Sequence, residues 1–505
     1  MKPRYIAYII WIVIALLGVI CWLVPEKGII IGKWTLRWPT IAEVLKADNT
    51  AEYDTTWIAE AEDFSILVIA EGDTMSVPMY EVRPLQPKYH IVDSLMDSIQ
   101  EVAIDTIDTM AVIAPVTEIK PVAATESKTQ LQSTDGIDTR TYLTAFYQAL
   151  DSALVMPIRV VHYGDSQIEE DRITDILRER WQEQYGGGGV GLLPLHQTVA
   201  TRSIRQWLTI NGVKQTTKGG PKRYLIYGPR SLRQEGNDYG MMGQVAVMDS
   251  GLVKGSDRIT MHIAALGKKH KPHRYFDQIR VFADNISGYV LAGDTIRPML
   301  VSANTLQYSL PDSTTDCTIH LNGIGRVYGV SLETTTGVMV DNIPMRGCAG
   351  TVFTRMNSES LINYFHSTNT RLIIMQYGGN MIPHTNTTSA INSYVNNLRQ
   401  QVRHVRACAP YASILFIGPS DMSTRIDGKM VTYPMVPYLD KQLRKLAAEE
   451  QIAYWSLYDA MGGKNSMAKW VEIGLAASDY VHFSRAGSNK MGKALGEWID
   501  QGKEL

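Results

Sequence analysis

The most continuous apolar pattern in the chain is a run from Tyr5 to Val24 with almost no polar interruption. At about 1.5 Å per residue such a run crosses a ~30 Å hydrocarbon core, which predicts a membrane helix. Lys2 and Arg4 precede it, so the positive-inside tendency puts the N-terminus in the cytoplasm and everything after Pro25 outside. A cleaved signal peptide ranks second, because no small-x-small site follows the run. A lipid-anchored Cys21 ranks third, since the bulky Val19 and Ile20 stand where a small residue is expected.

From Gly28 to about Gln86 there are only short apolar patches, such as Phe64 to Ala70, and no role is assigned to them. Between Ile91 and Arg140 nine acidic residues face three basic ones, and Thr, Ser, Ala and Pro recur without period. That composition predicts a flexible spacer. After Arg140 strand and helix patterns alternate. Ile158 to Tyr163 reads as a strand, followed by a helix with Ile173, Ile176, Leu177 and Trp181 on one stripe. Gly186 to Gly189 ends that helix and is followed by no Lys-Ser or Lys-Thr, so it reads as a turn and not a phosphate loop.

Strand patterns return at Leu372 to Met375, Ile414 to Ile417 and Ile452 to Leu457. Between them lie one helix carrying Ile391, Val395, Leu398, Val402 and Val405 and another from about Pro437 to Glu450. Repeated strand-helix units predict a parallel sheet covered on both faces. Between Thr198 and Asn322 the pattern differs. Short extended runs at Gln244 to Met248, Ile259 to Ile263, Gln278 to Phe282 and Tyr289 to Leu291 alternate with Gly, Asp, Asn and Pro turns, which predicts an inserted β-sandwich. The expected organisation is an anchor over 1–27, a membrane-proximal segment and acidic spacer over 28–140, an α/β domain over 141–197 and 323–505, and the sandwich over 198–322.

A length of 505 residues exceeds one ordinary core, in keeping with this division. The net charge of -2 gives no reason to expect a nucleic-acid partner. Four cysteines, one of them in the apolar run, describe no disulfide scaffold, and Cys317, Cys348 and Cys408 allow at most one bridge. No Cys/His spacing resembles a zinc site, and neither metal nor cofactor is expected.

The candidate chemistry begins where the strand ending at Tyr163 delivers Gly164-Asp165-Ser166. Asn380 follows the strand at Leu372 to Met375 in Tyr377-Gly378-Gly379-Asn380, and Asp479 and His482 form a D-x-x-H pair near the C-terminus. A serine hydroxyl must lose a proton as it attacks, so it needs an imidazole within reach, and the imidazole gains from a carboxylate behind it. His482 and Asp479 fit those two roles. Asp165, adjacent to the serine, is read as fixing the loop. His162 and His384 lie near the motifs and are read as buried or incidental more readily than as substrate contacts.

In order and context these residues resemble the SGNH, or GDSL, hydrolase superfamily, over about Ile158 to Trp498 with the insertion between. The resemblance implies a flavodoxin-like parallel sheet of SGNH-hydrolase type and an oxyanion hole built from the Ser166 amide, a glycine amide and the Asn380 side chain. The glycine block is altered here: Gly347 aligns best and Gly350 is the alternative. Gln167 stands where the family has Leu, and Met381 where an aspartate often follows the asparagine. A sandwich inserted at this point resembles the bacterial peptidoglycan and polysaccharide O-acetylesterase branch, which makes glycan holding and simple bracing equally good roles for it.

The expected activity is therefore a membrane-anchored serine esterase at the bacterial inner membrane, single-pass, facing the periplasm or cell exterior. It would remove O-acetyl groups from cell-wall or other extracytoplasmic glycan. Two alternatives stand beside it. One is an O-acetyltransferase that receives acetyl groups from a membrane acyl-transfer partner, and the other is a glycan-binding protein with no activity.

Overall fold

The computed structural model describes a short antiparallel pair, Ile29–Ile31 with Trp34–Leu36, and residues 138–504 apart from 216–219, 251–258, 267–274 and 303. The apolar run at 5–24 and nearly all of the 28–137 segment lie outside the described residues. Among the described residues no helix is long and apolar enough to cross a membrane.

Five strands form the parallel sheet, in the spatial order Gly337–Pro344, Pro157–Gly164, Thr370–Gln376, Ser413–Ile417, Ala453–Trp455. Numbered along the chain this is the order 2-1-3-4-5, the flavodoxin-like arrangement, whose strand order reverses between the first and third strands. The first strand is buried along nearly its whole length, as expected for a strand covered on both faces. Val160, Ile374 and Leu415 pack on one side with Leu177, Trp181 and Leu495. Val161, Ile373 and Phe416 pack on the other with Leu398, Val402 and Leu443. Helices Thr174–Tyr185 and Arg485–Gln501 thus cover one face, and Thr388–Cys408 and Val436–Glu450 the other.

The stripe expected on the fourth-strand approach is buried along Thr388–Cys408, whose first turn is capped by the Thr387 side chain accepting from the Ala390 amide. One strand is shorter than its apolar pattern suggests. Ala453–Trp455 stops at Ser456, whose hydroxyl accepts from the Asp459 amide at 3.0 Å and starts the helix Leu457–Met461. A capping serine inside an apolar run is invisible to periodicity alone.

Register brings Gly164 level with Pro344 on one side and Gln376 on the other, and Gln376 level with Ile417. The loops that follow these strands all leave from one edge of the sheet. Ser166, Gly347 and Asn380 sit in three of them, so the architecture collects distant sequence at one place.

The inserted sandwich is wider than 198–322. Its sheets run from Gly191–Leu193, which pairs antiparallel with Gly325–Glu333, and the latter pairs with Phe276–Asp284. A three-residue strand directly after glycines carries too little periodicity to be assigned from sequence. The second sheet, in the order Asp294–Ile296, Ser287–Ala292, Asp316–Asn322, Ile259–Ala265, Ile204–Ile210, Val213–Lys214, encloses a separate core with Leu208, Met261, Ile319 and Val330. The sandwich also shares the α/β core: Leu192, Met242, Val245 and Tyr328 pack in the same cluster as Ile343, Met345 and Tyr377.

A buried ion network reinforces this junction. Arg159, fully buried on the first parallel strand, pairs with Asp341 at 2.6 Å and with Glu333 on the sandwich, and Arg280 pairs with the same glutamate. Burial opposes ionisation of Glu333, but the two guanidinium groups outweigh it and hold the carboxyl below its ordinary range. Cys317, Cys348 and Cys408 are free and buried, with no bridge among them.

Candidate active site

Ser166 lies at the start of a short turn, Ser166–Asp171, directly beyond the central strand. Asp165 caps it: one carboxylate oxygen accepts from the Gln167 amide at 2.9 Å. The backbone then takes an unusual path, with positive φ at Glu170, Asp171 and Ile173. Such conformations cost about 1–3 kcal/mol each and persist only where surroundings enforce them. Here Arg178 grips Asp171 at 2.6 and 3.0 Å, and the Ser203 hydroxyl of the sandwich donates to the same carboxylate. The turn is thereby fixed from below and above.

His482 reaches the serine from the other end of the chain. Its Nε2 is 2.8 Å from the Ser166 hydroxyl, and its Nδ1 is 2.8 Å from Asp479. The second Asp479 oxygen accepts from the Val481 and His482 amides at 2.9 and 3.0 Å. Partial burial disfavours the Asp479 anion, but the bonds from the His482 side chain and the two amides outweigh it and lower the carboxyl from its ordinary value. Asp479 thus stays ionised behind the imidazole at neutral pH, the condition under which a serine can pass its proton to Nε2.

Asn380 is also at this edge. Its amide donates to the other Asp165 oxygen at 2.9 Å and to the Cys348 carbonyl at 3.1 Å. A carboxylate only accepts, so Asp165 selects the nitrogen of Asn380 as the atom that faces the serine turn. Burial pushes the Asp165 carboxyl up to about 6, against bonds from Gln167 and Asn380 and the nearby His482. Both amide hydrogens of Asn380 are thus engaged. To donate to a reacting oxygen the side chain must release or share the Cys348 carbonyl.

The two glycines separate clearly. Gly350 has φ +79, and a Cβ there would lie 2.6 Å from the Tyr377 ring, so it serves close packing. Gly347 has φ +74 with nothing within 4 Å of its Cβ position. It occupies the third place of a turn closed by the Cys348 amide on the Met345 carbonyl at 3.0 Å, where positive φ is required. Space therefore does not forbid a side chain at Gly347; only its backbone conformation does. Its neighbours tie it to the site: Arg346 pairs with Glu169, three residues after the serine, and the Cys348 carbonyl takes Asn380.

Some residues were not assigned a role from sequence. Gln167 donates to the Val481 carbonyl at 2.6 Å and to the Ser420 hydroxyl at 3.3 Å. It thus joins the serine turn to the residue before His482. Its departure from the family's Leu was the available signal. Arg346 and Glu169 close a second contact, and a cavity of about 270 Å³ opens beside Gly347 between the α/β unit and the sandwich, lined also by Arg223, Tyr227 and Gln244. His162 is fully buried between Gln376 and Thr174, and His384 is exposed at a turn. No group of three or more His, Cys, Asp or Glu side chains among the described residues is placed to hold a metal ion.

Comparison with known proteins adds to this geometry. Residues 312–490 match the family described as GDSL-like Lipase/Acylhydrolase. The match takes in Asn380, Asp479 and His482 and begins beyond Ser166. The fold is similar to that of a peptidoglycan O-acetylesterase, with a TM-score of 0.56 at 20% identity, over 72% of this chain and 96% of that one. The family match and this fold together support the resemblance of the α/β unit to the SGNH/GDSL superfamily. Shorter matches include a structure described as a putative platelet activating factor from Streptococcus pneumonia, 16% identical over 32% of this chain and 73% of that one with a TM-score of 0.24. An acetyl xylan esterase is 13% identical over 32% of this chain and 80% of that one, also at 0.24. No curated protein matches the sequence.

Proposed function

We infer that the protein is a serine esterase that removes O-acetyl groups from extracytoplasmic glycan. The observation that carries this reading is the relay Ser166–His482–Asp479, with both links at 2.8 Å, at the switch point of an SGNH/GDSL sheet. The Ser166 oxygen attacks the acetyl carbonyl carbon while its proton passes to His482 Nε2. Charge builds on the carbonyl oxygen and is met by the Ser166 amide, the Gly347 amide and the Asn380 side chain once it turns from Cys348. The bond to the sugar oxygen breaks, and that oxygen takes the proton from His482. Water, deprotonated by the same imidazole, then releases acetate and restores the serine.

The choice of glycan is supported by the sandwich that walls the cavity beside Gly347, by the fold shared with an O-acetylesterase, and by the apolar run at Tyr5 to Val24, which would hold the enzyme at the inner membrane facing outward. The transferase alternative uses the same acetyl-serine and differs only in its acceptor. A positioned sugar hydroxyl has an effective concentration of up to ~10⁵ M or more, far above water at about 55 M, so acceptor binding decides the outcome.

Supplying the full chain, in non-ionic detergent, with a glycan carrying isotopically labelled acetyl groups separates the two. Label recovered as free acetate, and not in Ser166→Ala, is the expected result. Label accumulating on a second glycan would replace hydrolysis by transfer.

A further inference from the structure

The outer face of the six-stranded sheet carries a row of stacked rings that the chemistry at Ser166 does not use. Trp207 on Ile204–Ile210 lies parallel to His262 on Ile259–Ala265, with centroids 4.9 Å apart and planes 3° apart. Two strands further on, Tyr289 lies on His320 at 4.5 Å and 15°. Each pair is formed by residues directly opposite in register. Threonine hydroxyls link the rings: Thr209 is 2.9 Å from the His262 Nε2, and Thr260 and Thr318 are 3.0 and 3.2 Å from the His320 nitrogens.

Cations stand over both aromatic rings. The Arg205 guanidinium and the Lys214 ammonium lie 5.3 and 6.0 Å from the Trp207 centroid, and the Arg297 guanidinium lies 5.5 Å from that of Tyr289. Arg205, Lys214 and Arg297 are exposed, and against them the same face presents the exposed Asp316. In a chain of net charge -2 this is a local excess of positive charge. A groove of about 610 Å³ opens at the Trp207 end, bordered by His196, Gln197, Arg205 and Lys214. Gln197 also borders the cavity beside Gly347.

We propose that this face binds an acidic glycan chain, a polymer whose sugars carry carboxylates. A cation held beside an aromatic ring matches such a sugar: the cation takes the carboxylate, the outward ring edge packs against the C–H groups of the pyranose, and the threonine oxygens serve its hydroxyls. Two such units occur, three strand spacings apart, which at about 4.8 Å per spacing is roughly 14 Å. A single sugar cannot bridge that distance, so affinity rises with chain length as the second unit engages at high effective concentration. A nucleic acid would ask for a longer basic track. The assignment is independent of whether Ser166 turns over an ester.

Affinity electrophoresis of the full chain in non-ionic detergent, through native gels containing polygalacturonate, hyaluronan or neutral dextran, tests it. Retardation is expected in both acidic gels and not in dextran, and galacturonate monomer should compete at least tenfold more weakly than the polymer by weight. Trp207→Ala and Tyr289→Ala should each weaken retardation about tenfold or more, and Arg205→Glu with Arg297→Glu should abolish it. The charge variants alter exposed side chains and serve if an aromatic variant fails to fold, with near-UV circular dichroism and Tm as the folding control. Equal migration in all gels, retardation unchanged in the variants, or stronger retention by duplex DNA or by anionic phospholipid vesicles would overturn the proposal.

Discussion

Gln167→Leu restores the residue expected in the family at that place and removes the link between the serine turn and the His482 loop. Two effects on stability oppose each other. The Val481 carbonyl and the Ser420 hydroxyl, which accept from Gln167 at 2.6 and 3.3 Å, lose that partner, and net hydrogen bonds of this kind are worth about 0.5–1.5 kcal/mol each. The variant also removes the buried Gln167 Oε1, which has no partner, and relieving an unsatisfied polar atom returns about 1–3 kcal/mol. Thermal stability should therefore change little. Catalysis is not compensated in this way. If the lost tether appears wholly in the barrier, kcat falls about tenfold per 1.4 kcal/mol, and a shift of the imidazole approaching 1 Å would take it to about a hundredfold. Initial rates on 4-nitrophenyl acetate, with Tm followed in parallel, give both numbers. A variant with kcat within twofold of wild type would show that Gln167 does not position His482, and a large fall in Tm would make it a structural residue instead.

Three further outcomes follow from the same geometry. Asn380→Ala should lower kcat by roughly 10²- to 10³-fold with the KM for small esters nearly unchanged, whereas unfolding of the variant would assign the residue to packing against Asp165 and Cys348. Glu333→Ala leaves Arg159 with Asp341 as its one remaining carboxylate and should cost about 3–5 kcal/mol, read as a fall in the urea midpoint; a change below 1 kcal/mol would remove the ion network from the account of the junction. His162 is buried, and burial pushes its pKa down to about 4, below the value near 6.5 expected when unfolded. The unfolded chain therefore takes up a proton that the folded chain refuses, so this contribution is complete above about pH 6.5 and is lost as pH falls toward 4, about 3 kcal/mol in all. The Tm gap between wild type and His162→Gln should narrow from pH 7.5 to pH 5; a constant gap would refute the assignment.

Legibility in the sequence followed the length scale of each signal. The serine turn, the D-x-x-H pair and the long helical stripe from Ile391 to Val405 were readable because chemistry or a period repeated over several turns marks them. The ends of the sandwich were not, since Gly191–Leu193 is too short to carry a period. Ser456 ended a strand through a cap that composition does not reveal. Within the site, Gly347 and Gly350 differ in what surrounds each Cβ position, a property of packing. The engagement of Asn380 with Asp165 and Cys348 likewise depends on residues brought together by three separate loops. Sequence could suggest the donor but not its bonds to Asp165 and Cys348.

The central claim is that Ser166 is the nucleophile of an acyl-enzyme, activated by His482. Its most direct measurement is the steady-state hydrolysis of a small acetyl ester by the full chain and by Ser166→Ala. The account predicts clear turnover by the wild type and a loss of kcat of about 10⁴-fold or more in the variant, the scale on which triad members act. A wild type inactive on every acetyl ester tried, or a variant within tenfold of the wild-type rate, would contradict it.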